Sequence, residues 1–335
     1  MTHLNTWLTK ATGVRIPIIQ GGMMWVGKAE LTSAVANAGA LGFITAFAQP
    51  SPEALSLEIR KCKKLTDKPF GVNLTLLPSI NPPDYKAYAQ AALDEGIRIF
   101  ETAGNPLPVF KLLKDNGAVV IHKCISIRHA LRAEALGADA ISIDGYECAG
   151  HPGEDDVTSL ILLAKAARVL KIPYIASGGF ADARACAAAF SMGASGVNMG
   201  TRWLCTVEAP VHMAVKEQIT KAKETDTQLI LRAFRNTSRV YKNDVSVETA
   251  RIEREKPGVK FEDVRELVAG ARGSTVYSTG NVEAGVWSVG QCIGVIDDIP
   301  TCAELASRLE REIIEILTET PKRIIVEDRD NSSKL

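Results

Sequence analysis

"YIASGGFADARACAAAFSMGASGVNMGTRW", residues 174–203, holds one complete repeat of the chain's organisation. A short apolar run, "YIASGG" (174–179), ends on two glycines. A helical stretch, "DARACAAAFSMG", follows and stops at Gly193, the residue type most often found just past a helix end. A second apolar run, "GVNMGT" (196–201), begins almost at once. Neither run alternates apolar with polar residues as a half-exposed strand would. Each therefore reads as a strand buried on both faces, as in a parallel sheet.

Working outward, the same alternation fills the first 201 residues. The other runs are "IPIIQGG" (16–22), "LGFITA" (41–46), "GVNLTL" (71–76), "IRIFETA" (97–103), "VVIHKC" (119–124) and "AISIDG" (140–145). Amphipathic stretches such as "KAELTSAVANAG", "SPEALSLEIRKCKKL" and "SIRHALRAEALG" separate them. Eight evenly spaced βα units predict an α/β fold, a (β/α)8 TIM barrel. The rival is an open doubly wound sheet, but no GxGxxG follows the first run to support a dinucleotide-binding version.

Residues 206–285 break the pattern. They are charged, mostly helical in periodicity and without strand runs, and they predict a helical insertion that caps the barrel mouth after strand 8. "PTCAELASRLEREIIEILTE" (300–319) then supplies the outer closing helix. The expected organisation is a barrel of residues 1–205 and 286–335 with a substrate-facing helical insertion of 206–285.

Composition bounds the function. The chain of 335 residues is 46% hydrophobic and 23% charged, with a formal net charge of +0, which is ordinary for a soluble protein with one large core. Nothing in that balance suggests nucleic acid or an anionic membrane surface. No apolar run reaches the roughly 18 residues of a membrane span, and "MTHLNTWLTKATG" lacks a signal-peptide core. Seven scattered cysteines without a CxxC predict reduced, packed thiols and no metal site. Only Cys148 sits in a loop of chemical interest.

In a barrel, chemistry gathers where the strands end. Those ends read "QGGMMW", "NLTLLP", "ETAGN", "HKC", "DGYECAGH", "SGGFAD" and "NMGTRW". The exits of strands 7 and 8, "SGGF" (177–180) and "GTRW" (200–203), pair small residues on adjacent strands. They let backbone N–H groups approach an anion, beside the positive end of the helix at "ADARA". Ser177, Gly178, Gly179, Gly200 and Thr201 are thus a candidate phosphate site. Gly22 with Met23 and Met24 offers backbone donors and an apolar shelf. Asn73 and Lys123 add donors, a set that suits a flat, polar-edged ring such as isoalloxazine. Asn73 can equally cap a turn, and Lys123 can pair with Asp144. A phosphate-sugar isomerase or aldolase would need a Schiff-base lysine or a carboxylate pair at the mouth, and Lys123 is the only candidate.

"PIIQGGMMWVGKAELTSAVANAGALG", "GVNLTLLP", "DGYECAGHPGEDD", "IASGGFADARA" and "NMGTRW" occur in that order. Together, from about residue 13 to 300, they resemble the nitronate monooxygenase family, FMN-dependent TIM-barrel flavoenzymes. The resemblance implies flavin-edge contacts at Gly22, Met23 and Met24, and ring or ribityl contacts at Asn73, Lys123 and Asp144. It implies phosphate contacts at Gly178, Gly179, Gly200 and Thr201, a returning segment "GVWSVGQ" (285–291) beside the flavin, and an active-site histidine at His151. Gly150 would let the backbone pass close to the flavin and Pro152 would stiffen the turn. A histidine so held can bond a nitro or carbonyl oxygen, or move a proton near neutral pH. The implied activity is oxidation of alkyl nitronates with O2 to carbonyl compounds and nitrite. "QGGMMWVG" and "ECAGHPGEDD" also resemble a subgroup of NAD(P)H:quinone reductases, with NAD(P)H as reductant, and "AGH" occurs in flavin enoyl-ACP reductases.

The other histidines carry no comparable case. His122 and His129 read as structural, and His3 and His212 have no assigned role. The acids 154–156 are expected to cap the helix "VTSLILLAKAARVL". Arg232, Arg235 and Arg239, at roughly helical spacing, could hold a dinucleotide's phosphates, although a solvated helix face explains them as well. Expected partners are a small-molecule substrate, a second copy of the chain in a homodimer, and the peroxisomal import receptor. The last would read the terminal Ser333-Lys334-Leu335 in a eukaryotic host; otherwise the protein is expected in the cytoplasm.

Overall fold

The computed structural model describes residues 2–76 and 82–325. The first part of the chain forms strands β1 (Ile18–Gln20), β2 (Leu41–Thr45), β3 (Gly71–Leu76) and β4 (Ile99–Gly104). It continues with β5 (Val119–Cys124), β6 (Ala140–Asp144), β7 (Tyr174–Ser177) and β8 (Val197–Met199). All eight apolar runs are therefore strands. They pair in parallel in sequence order, and Ile18 opposite Val197 joins β1 to β8 to close the barrel.

Helices cover the outside, as the amphipathic stretches require. The outer ring runs from Ala29–Asn37 to Ala183–Ser191, and the long helix Cys302–Ile324 packs against both of these to close it. Ser51, Asp84, Ser126 and Asp182 each accept a backbone N–H from the first turn of the helix they cap.

Inward-facing residues recur with period two along each strand. At the lower end Ile19, Leu41, Phe43, Ile121, Ala140 and Ile175 fill the barrel, with Leu8 of the N-terminal helix Trp7–Thr12 as the plug. One layer up, inward positions of β3, β4, β6 and β8 are polar: Asn73, Glu101, Ser142 and Asn198 are buried and joined by hydrogen bonds. Lys123, Asp144 and Ser177 lie at or above this layer and line the mouth. The barrel thus has an apolar floor, a polar ceiling and a reactive rim, all dictated by side-chain alternation.

The insertion departs from the expectation. It contains helices Met213–Lys221, Asp244–Glu255 and Gly270–Thr279, but also an antiparallel ribbon of β9 (Thr227–Ile230) and β10 (Ser238–Tyr241). The four-residue strands sit among charged residues, too short to register as strand runs. Their apolar residues Ile230 and Val240 join Leu231 and Val264 in a small core separate from the barrel's. Consequently Arg232, Arg235 and Arg239 do not lie on one helix. The first two belong to the turn between the strands, where Leu231 and Arg235 take positive φ, and Arg239 lies on β10.

The seven cysteines are free and buried, as expected of packed thiols. Among the described residues no metal-binding cluster occurs, and no helix is long and apolar enough to cross a membrane. Ser333-Lys334-Leu335 lies outside the described residues, as do Leu77 and Pro78 of "NLTLLP".

Candidate active site at the barrel mouth

A cavity of about 1280 Å³ opens over the strand ends. Every predicted site residue lines it: Gly22, Met23, Met24, Asn73, Lys123, Asp144, Gly150, His151, Ser177, Gly178, Gly179, Gly200 and Thr201. Val286, Trp287, Ser288 and Gly290 of the returning segment also line it, and the Gly290 N–H donates to the Thr201 hydroxyl at 3.0 Å.

On the β7–β8 side, Gly178 and Gly179 have φ of +85° and +87°, the left-handed region that favours glycine. Space is short as well. A Cβ on Gly178 would lie 2.7 Å from the Gly145 nitrogen, and one on Gly179 would lie 2.8 Å from Glu147 Cβ. Among the described residues, no hydrogen bond takes the N–H of Gly178, Gly179 or Gly200. Three free donors on two adjacent exits make a cradle for an anion. Asp182 caps the neighbouring helix by accepting the Ala185 N–H at 2.8 Å, so the strand exits, more than that helix end, offer the free donors.

On the opposite side the expectation needs correcting. The Gly22 N–H donates to Glu101 Oε2 at 2.8 Å, and the Met23 N–H to the Thr45 hydroxyl at 2.9 Å. These two donors point into the protein and not toward a ring. Asn73 is likewise held: its Nδ2 donates to Glu101 at 2.7 Å, and its Oδ1 accepts from Thr75. Glu101 also accepts from Asn198 Nδ2 at 2.7 Å and is fully buried. Sequence reasoning passed over both Glu101 and Asn198. The available signal was a polar residue in the middle of each mainly apolar run, Glu101 in "IRIFETA" and Asn198 in "GVNMGT". Gly22 must be glycine because a Cβ there would lie 2.1 Å from Asn73 Cγ.

Lys123 Nζ lies 3.4 Å from Asp144 Oδ2. Burial pulls the ammonium pKa down, but Asp144 and then Glu101 overcome it and hold the pKa above the usual lysine value. A lysine kept protonated is a cation and not a Schiff-base nucleophile, which disfavours the aldolase reading. The other Asp144 oxygen, Oδ1, is buried without a hydrogen-bond partner. Asp144 itself lines the cavity, so its carboxylate can take a donor from whatever binds there. The free cradle on one side, this orphan and the fixed cation opposite fit a ligand with a phosphate, hydroxyl groups and a polar ring edge. A riboflavin phosphate has these parts.

His151 stands exposed in the mouth. The walls around it still withhold bulk water, and this desolvation lowers its pKa below 6.5 against the opposing pull of Glu154. It is therefore neutral at pH 7 and has one ring N–H to donate. His122 is buried and structural, as expected: Nδ1 lies 2.8 Å from the Thr102 hydroxyl, and burial lowers its pKa to about 4. His129 faces the outer end of the cavity, and His212 caps the helix Met213–Lys221. Burial, first, pushes the Cys148 thiol pKa upward and leaves it a packing group.

The acids 154–156 do not cap the following helix. That helix starts at Ser159, whose N–H and hydroxyl meet the Glu147 carboxylate at 2.9 and 3.1 Å. Glu154 instead accepts from Thr237, and Asp156 pairs with Arg232. The loop reaches across to the ribbon, so its acids are not free for the helix.

With this geometry in view, the nitronate monooxygenase family model matches residues 5–312. The chain belongs to the nitronate monooxygenase family. It is thus an enzyme of a flavin oxidoreductase family. The chain is 33% identical to a Mycobacterium tuberculosis enzyme, (3aS,4S,5R,7aS)-5-hydroxy-7a-methyl-1-oxo-octahydro-1H-indene-4-carboxyl-CoA dehydrogenase, over 93% of this chain and 97% of that one. It superposes on FabK from Thermotoga maritima with a TM-score of 0.89 and 34% identity, covering 96% of this chain and 100% of that chain. A probable nitronate monooxygenase of Staphylococcus saprophyticus subsp. saprophyticus is 30% identical over 67% of this chain and 75% of its own length.

Proposed function

We propose that the protein binds FMN without a covalent link at the barrel mouth and acts as an oxidoreductase on an acyl thioester, with NAD(P)H as electron donor. The cavity volume carries this reading. About 1280 Å³ exceeds the ~300–1,000 Å³ of an ordinary small-molecule site and leaves room for a second substrate beside a flavin. The relatives named above support it too. The CoA-ester dehydrogenase and FabK match almost end to end, including the region after β8, whereas the nitronate monooxygenase match is shorter.

Gly178, Gly179 and Gly200 would hold the phosphate on their free N–H groups, Lys123 would face the polar ring edge, and the Asp144 carboxylate would take a hydroxyl donor. Bound there, FMN would supply the two-electron redox chemistry. His151, neutral and exposed in the mouth, would donate its N–H to the substrate's carbonyl oxygen and help move a proton there. Trp287, buried against Tyr241 at 4.6 Å between ring centroids, gives the roof a rigid apolar wall that excludes water.

Nitronate oxidation is the second reading, favoured by the family model and by a histidine donor that serves a nitro oxygen equally well. A quinone is a further acceptor to assay beside both. If the host is eukaryotic, Ser333-Lys334-Leu335 is also proposed as a peroxisome address. A fluorescent fusion that changes from punctate to diffuse when the three residues are deleted tests that.

The binding half of the proposal is tested by purification. The protein should emerge yellow, with one FMN per chain released intact by heat denaturation. A colourless chain that takes up no added FMN would overturn it.

A further inference from the structure

The His151 loop is tied to the β9–β10 ribbon at three points. Gly150 and Arg239 pair as a two-bond antiparallel bridge: the Gly150 N–H donates to the Arg239 carbonyl at 3.1 Å, and the Arg239 N–H to the Gly150 carbonyl at 2.6 Å. Glu154 accepts from the Thr237 N–H at 2.9 Å and from its hydroxyl. Asp156 pairs with Arg232.

The Arg239 side chain adds a fourth tie on the other flank. Its guanidinium donates to the Tyr146 carbonyl from Nη2 at 3.0 Å and Nε at 3.3 Å. Its carbon lies 4.6 Å from the centre of the Tyr146 ring. Nη1 donates to the Thr227 hydroxyl on β9 at 2.9 Å. The residue is only 3% exposed, and no carboxylate pairs with it among the described residues. A buried guanidinium that spends its fork on one loop carbonyl and one ring is a positioning device. Its planar, preorganised donors fix both distance and direction, which a lysine ammonium does not.

We propose that Arg239 is the positioning residue for His151: it locks Tyr146, and with it the loop that ends at His151, onto the insertion. This rests on the reading of His151 as the acting group of the mouth. The insertion is then more than a cover. Without the ribbon, the segment carrying His151 would keep its anchors at Tyr146 and Glu147, through Val157, Ser159 and Gln291, and lose those of Gly150 and the acids beyond it. The loop's own pattern does not reveal this, because the ribbon lies about ninety residues further along the chain.

The test compares His151→Ala, Arg239→Ala and their combination in FMN-loaded protein, with Arg239→Lys beside them in case the alanine variant does not fold. Arg239→Lys keeps the cation over the Tyr146 ring but cannot form the fork. Arg239→Ala should lower kcat by about ten- to a hundredfold, since a displacement of ~1 Å in an acting group can cost up to ~10²-fold, while FMN content stays at one per chain. Added guanidinium ion should recover part of the loss. The double variant should be no slower than His151→Ala alone, because both changes act through one group. Arg239→Lys should fall between wild type and Arg239→Ala. Losses that multiply in the double variant, or Arg239 variants that turn over at the wild-type rate while His151→Ala is slow, would overturn the proposal alone. A fully active His151→Ala would overturn the reading of the site and this proposal with it.

Discussion

Replacing His151 with alanine should lower turnover tenfold or more and leave the melting temperature and FMN content nearly unchanged. The residue is exposed in the mouth, while proton-transfer groups contribute ~10²–10⁴-fold. Steady-state kinetics beside a thermal melt checks it, and unchanged turnover contradicts it. Glu101 should behave in the opposite way. It is fully buried and accepts from Gly22, Asn73 and Asn198, so Glu101→Ala strands three buried donors and should cost roughly 3 kcal/mol or more in denaturant unfolding. A loss under 1 kcal/mol would show that those donors find water or new partners. The contrast explains what could be read from the sequence. His151 is conspicuous in a glycine- and proline-bounded loop at a strand exit. Glu101 is an inconspicuous polar letter in a mainly apolar run, and its meaning depends on the β1 exit, β3 and β8, which lie far from it along the chain.

At the strand exits of β7 and β8 the paired glycines proposed to hold the phosphate could be picked out from the sequence, and they line the cavity. Paired glycines with left-handed φ and unpartnered N–H groups are a local property of the chain. Gly179→Asp should therefore give colourless protein. The side chain would meet Glu147, whose Cβ lies 2.8 Å from the added Cβ, and its charge would repel a phosphate. An absorbance spectrum decides it, and stoichiometric FMN in that variant would put the phosphate elsewhere. The β9–β10 ribbon was not legible. Four-residue strands among charges give too short a window for periodicity, and the buried role of Arg239 follows only from the hairpin's register. The Gly22 and Met23 donors were misread for a related reason. A glycine-rich exit shows that backbone approaches something closely, but not whether that neighbour is a ligand or, as here, Glu101 and Thr45.

Across the whole molecule, eight βα repeats specified the barrel because the strands are almost wholly buried and amphipathic helices separate them. Global stability carries a pH signature. Burial lowers the His122 pKa to about 4 from 6.5. Above pH 6.5 neither state holds the proton. As the pH falls from 6.5 toward 4 the unfolded chain binds it and the folded protein does not, so stability should decline by roughly 3 kcal/mol across that window. Chemical denaturation at stepped pH checks this, and His122→Gln should flatten the decline; an unaltered slope in that variant would assign it to other groups. The central claim, a flavin mouth built for a thioester with NAD(P)H as donor, is tested most directly by anaerobic rapid mixing. The FMN-loaded protein is reduced with NADH or NADPH and then mixed with 2-enoyl-CoA thioesters of graded chain length, while the oxidised protein is mixed separately with propionate 3-nitronate. Rapid bleaching by one of the nicotinamides is expected, with return of the flavin colour on adding a thioester. Inert nicotinamides, together with rapid bleaching by the nitronate, would contradict it.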